Sequence, residues 1–119
     1  MSDEKIEGNI FELSEEKAKE SAKRFCQFPY GRNVIAAMAA ADLKKRCNAG
    51  EKDVIQGTSM APFTKDTWDK MGFLLWMDAD RSNVSEEVFK TEANKIAEEI
   101  EKFVPNSIVV IKIARGETK

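Results

Sequence analysis

The sequence predicts a small α+β domain, with helices packed on one side of a three- or four-stranded sheet. Three observations carry that prediction. Phe89, Ala93, Ile96, Ala97, Ile100 and Phe103 repeat at helical spacing over fifteen residues. Two apolar runs flank this stripe, FLLWMD at 73–78 and SIVVIKIAR at 107–115, giving a C-terminal strand–helix–strand unit. Two further helical segments come earlier and are separated by a proline–glycine bend, QFPYGR at 27–32. The 119-residue length fits one domain, 1–119, with short polar ends expected to fray.

Taken in order, KIEGNIFE at 5–12 is a weak first strand, interrupted by Gly8 and Asn9. Ser14 is placed to cap the first helix, with Glu15 and Glu16 at its positive end. Ala18, Ala22, Phe25 and Cys26 share its inner face, and Glu20 with Arg24 forms an i,i+4 pair outside. Pro29 ends this helix and Gly31 permits the turn. Asn33 is the expected cap of a second helix running to Cys47. Ile35, Ala39, Leu43 and Cys47 line one face of that helix. Five of the six residues from Ala36 to Ala41 are alanine, a surface that lets another backbone approach closely. Asn48–Gly50 is the stop.

DVIQG at 53–57 reads as a short strand or linker, and GTSMAPF at 57–63 as a surface loop. Thr64 is expected to cap a short helix closed by Gly72. In FLLWMD both alternating sets are apolar, so that strand is expected to be covered on both faces. Ser85 caps the long helix, and Pro105 with Asn106 ends it. In the last strand Val109, Ile111 and Ile113 face the core, while Lys112 points away.

Composition closes several chemistries. The chain has no histidine, which removes imidazole acid–base catalysis, imidazole triads and histidine metal ligands. No phosphate-cradling glycine loop is present, and no cofactor is expected. The net charge of −2 argues against sequence-independent nucleic-acid binding, which needs a basic face, and leaves room only for local basic patches such as Lys44–Arg46 or Lys23–Phe25. No apolar run approaches the roughly 20 residues of a membrane helix. The acidic start MSDEKIEGNI does not resemble a secretory signal, and the expected compartment is the cytoplasm. Two cysteines make no disulfide framework. If the first two helices form a hairpin, Cys26 and Cys47 stand on the order of 20 Å apart, so two free thiols are expected.

Two segments remain as candidate sites. CQFPYGRN at 26–33 combines a helix corner with Tyr30, Arg32 and Asn33, an aromatic–arginine pair of the kind found in binding hot spots. DADRSN at 78–83 places Asp78 and Asp80 between a strand and a helix start. Its EF-hand-like spacing fails, with Asn83 where glycine is needed and Phe89 where the glutamate is needed. The function expected is a non-catalytic protein-interaction module: an accessory or regulatory subunit, or a homo-oligomer. Its partner surface would lie around Tyr30, Arg32 and the second helix. The alternative is a small-molecule or anion-binding domain, possibly an enzyme, in which Arg32 meets Asp78, Asp80 or Ser59 in one cleft.

Overall fold

A computed structural model describes residues 9–28, 30–60 and 70–115. Within them the chain forms α1 (Glu15–Phe25), α2 (Gly31–Arg46), β1 (Ile55–Met60), β2 (Met71–Asp78), α3 (Glu86–Phe103) and β3 (Ser107–Ala114). Short 3₁₀ turns stand at Ile10–Glu12 and Ala79–Arg81. The fold is α+β with a mixed three-stranded sheet in the order β1-β2-β3. β1 pairs antiparallel with β2, and β3 pairs parallel with β2 after the α3 crossover.

The caps at Ser14 and Ser85 form as the sequence predicts. Ser14 Oγ accepts from the Lys17 amide at 3.4 Å, and Ser85 Oγ from the Val88 amide at 3.1 Å. The second helix ends in a Schellman turn. The Asn48 amide donates to the Lys45 carbonyl and the Ala49 amide to the Lys44 carbonyl, with Asn48 left-handed at φ 55°.

The core lies between the helices and one face of the sheet. Phe73, Leu75 and Met77 of β2 are fully buried, as are Ile35, Ala39 and Leu43 of α2 and the whole predicted stripe of α3 apart from slight exposure at Ala97 and Phe103. Val109, Ile111 and Ile113 of β3 pack against this core, half-buried at the sheet edge. The opposite face carries Leu74 and Trp76, with Thr58, Gln56, Val110 and Lys112 paired beside them. Among the described residues no helix lies on that face, and Leu74 and Trp76 are only half-buried. Among the described residues, then, helices cover one face of this strand, and the second face of the expected two has only partial burial at Leu74 and Trp76.

Four local readings change. Residues 9–12 do not form a strand. Asn9 Oδ1 accepts from the Phe11 amide at 2.8 Å and starts a 3₁₀ turn, while Asn9 Nδ2 donates to the Met38 carbonyl at 2.8 Å. Ile10 and Phe11 are thereby buried, Phe11 beside Phe103 with ring centroids 5.8 Å apart. Gly57–Met60 belong to β1 rather than to a loop. A Cβ on Gly57 would stand 2.5 Å from the Ala36 carbonyl oxygen, so the glycine lets α2 lie directly on the strand. The alanine-rich surface is thus used within the chain, in this α2–β1 contact.

Gly72 does not close a helix. It lies inside β2, paired with Met60 and Ile108. The helix expected at 65–71 after Thr64 lies outside the described residues up to 69, as does Pro29, and at its expected end Met71 begins β2 instead. On the outer face of α1, Arg24 donates to Ser21 Oγ rather than pairing with Glu20, and Glu15 pairs with Lys19 at 3.3 Å.

Candidate functional site

The α1–α2 corner is built by a run of short backbone hydrogen bonds. The Cys26 amide donates to the Ala22 carbonyl, Gln27 to Arg24, Phe28 to Phe25, and Gly31 to Phe28, all between 2.9 and 3.1 Å. The bend is so tight that a Cβ on Gly31 would fall 1.5 Å from the Phe25 carbonyl oxygen. Gly31 is helical and buried, so its role is steric fit rather than left-handed backbone. The same closeness lets α2 begin at Gly31, two residues earlier than the sequence predicts. Tyr30 takes the cap position without a side-chain bond.

Asn33 is therefore not the cap. It lies in the first turn of α2, and its Oδ1 accepts from the Ser59 hydroxyl at 2.6 Å and the Ser59 amide at 3.3 Å. The corner is thus fastened to β1. Its apolar side chains do not all turn inward. Phe25 and Cys26 pack on the core, but Phe28 is 64% exposed and Tyr30 75% exposed. Phe28 does not join them in the core: one turn past the end of α1, its side chain is exposed to solvent.

Two grooves meet at Cys26 and Met71. One, of about 460 Å³, has Ala22, Phe103, Val104 and Pro105 among its walls, and Lys19, Lys23 and Lys102 around it. The other, of about 480 Å³, is lined by Gln27, Phe28 and Arg32 together with the shared Cys26 and Met71. Among the described residues no carboxylate lines either groove. Burial pushes the Cys26 thiol above its ordinary pKa, and the nearby Arg32 guanidinium opposes that rise. Cys47 is pushed up to about 11, first by burial and then by Glu92. Both cysteines are free thiols.

The acidic loop has a different use. Asp78 pairs with Arg81 at 2.9 Å and accepts from the Asp80 amide at 3.0 Å. Ser82 Oγ accepts from the Val54 amide at 2.9 Å, and the Asp78 amide donates to the Val54 carbonyl at 2.9 Å. Asp53, which the sequence did not single out, accepts from the Gly50 amide at 2.6 Å and the Asn83 amide at 2.7 Å. These two bonds, Asn83 first, hold its carboxyl below the usual range. The loop's polar groups thus bind the chain entering β1 to the chain leaving β2.

Arg32 and the strand-end acids are not brought together. Arg32 shares a groove with Met71 at the start of β2, and Asp78 ends that strand. Seven strand steps separate them by about 23 Å. Ser59 stands near the Arg32 end, bonded to Asn33. Among the described residues no three side chains of the metal-binding types cluster. None of the described helices is long and apolar enough to cross a membrane. No family model, no curated protein and no solved structure matches this chain.

Proposed function

We propose that this domain is a non-catalytic protein-interaction module, serving as an accessory or regulatory subunit or assembling with its own copies, and that it docks through the α1–α2 corner. One observation carries the reading. Of the four large apolar side chains most exposed among the described residues, Phe28, Tyr30 and Val34 fall within seven consecutive positions, with Arg32 between them. Scattered exposed apolar residues need no explanation, but a local cluster of aromatics with an arginine has the composition of an interface centre. The corner is also held in place beforehand, by the turn bonds above and by Asn33 on Ser59. A pre-ordered patch loses less entropy on docking.

The test is native mass spectrometry and affinity capture with the full chain, Phe28→Ser, Tyr30→Ser and Val88→Ser. Val88 is the fourth exposed apolar residue and lies on α3. The reading predicts that a multiple of the chain mass, or a stoichiometric partner, is lost in the two corner variants and kept in Val88→Ser. Assembly unchanged in all three variants contradicts it.

A further inference from the structure

We propose that the groove beneath Cys26 is a binding site for a soluble, single-tailed anionic amphiphile, of the chemistry of a medium-chain fatty acid. Its walls are not the exposed apolar side chains of the docking patch, though Arg32 borders both, and it would recognise a different chemistry. Its walls are apolar and its surroundings are cationic. Ala22, Phe103 and Val104 are buried, and Cys26 and Met71 are half-buried. Lys19, Lys23 and Lys102 line the same groove and are exposed.

Charge complementarity selects the head group. The chain carries 21 acidic residues against 19 basic ones, yet among the described residues no carboxylate lines this groove or the one that joins it. Lys19 is partly neutralised by Glu15 at 3.3 Å. Lys23 and Lys102 have no ion-pair partner among the described residues, and the half-buried Arg32 adds a further cation where the grooves meet. Lysine stems lie along apolar surface while their ammonium groups stay in water, which suits a ligand with a buried tail and a charged end.

Size selects a single tail. The volume of about 460 Å³ falls within the range of small-molecule pockets. At about 30 Å³ for each heavy atom, the share of one water, it holds about fifteen such atoms. That is one medium chain with its head, and too little for a two-tailed lipid.

Cys26 reports occupancy directly. The full chain is alkylated with iodoacetamide, a neutral reagent, and the rates at Cys26 and Cys47 are read by peptide mass spectrometry. Dodecanoate, dodecyl phosphate, dodecyltrimethylammonium and dodecyl maltoside are compared, each below its micelle concentration. The proposal predicts that the two anionic probes slow Cys26 several-fold and leave Cys47 unchanged, and that the cationic and neutral probes do neither. The doubly exchanged Lys23→Glu/Lys102→Glu chain, with its circular dichroism unchanged, should need at least tenfold more dodecanoate. Equal protection by all four heads would show an apolar crevice without charge selection and overturn the proposal. So would protection only by anionic phospholipid vesicles, which means a membrane surface, or only by an acidic peptide.

Discussion

Single residues show most sharply what packing demands of this chain. Gly31 looks in the sequence like a turn glycine, but its necessity is steric, because the Phe25 carbonyl occupies the place of a side chain. Gly31→Ala must push the two helices apart. It is expected to destabilise by about 1–3 kcal/mol or more, the cost of forcing atoms into a packed site, read as a lower urea midpoint. Asp53 illustrates the opposite difficulty. Nothing in DVIQG marks it, because its partners are the backbone amides of Gly50 and of Asn83, thirty residues on. Its folded-state carboxyl titrates below its unfolded-state value, so its contribution is full at neutral pH and is lost as the pH falls below the ordinary carboxylate range, about 4. Asp53→Asn should therefore lower the urea midpoint at neutral pH, and the gap from the parent should close in strong acid. A gap that stays constant with pH would contradict this assignment.

The regular elements were the most legible part. The stripe from Phe89 to Phe103 identified α3 because apolar spacing at 3.6 residues is a local signal, and Ser14 and Ser85 are local caps. What failed was non-local. The turn at Ile10 depends on Asn9 reaching Met38, and the length of β1 depends on α2 lying over Gly57. On the second face of β2, Leu74 and Trp76 are apolar and half-buried, with no helix over them among the described residues. At the level of elements, α2 and α3 are joined by Arg46, which binds Asp42 at 2.7 Å and Glu99 at 3.0 Å. Asp42 is buried. Arg46→Ala leaves that carboxylate without its cation and is expected to cost about 1–3 kcal/mol. Arg46→Lys should recover only part of the loss, since one ammonium cannot reproduce two directed guanidinium bonds. Ser85→Ala should cost about 1 kcal/mol through the lost cap.

The whole molecule is a one-sided layer: three helices and a sheet whose outer face and β3 edge have no helix on them among the described residues. This arrangement has a direct consequence. Phe73→Ala, on the covered face, is expected to cost about 3–5 kcal/mol. Leu74→Thr and Trp76→Thr, on the other face, should cost clearly less, compared by thermal unfolding at one protein concentration. The candidate site follows the same division between local and non-local signals. The aromatic–arginine composition of the corner was visible in CQFPYGRN. Its outward display, and the groove joining Cys26 to Lys23 and Lys102, depend on how α1 meets α3 and the start of β2. The grouping of Arg32 with Asp78 and Asp80 failed because a strand's length lies between them.

The corner as docking surface is the centre of this account, and site-specific photo-crosslinking tests it most directly. Benzoylphenylalanine replaces Tyr30 in one full-length chain and Val88 in another, two exposed positions at the starts of different helices. The account predicts a discrete covalent adduct, with a second copy or a stoichiometric partner, from position 30 only, and its loss when Phe28→Ser is added. Equal crosslinking from both positions, or none from position 30 under conditions where the assembly is intact, would contradict it.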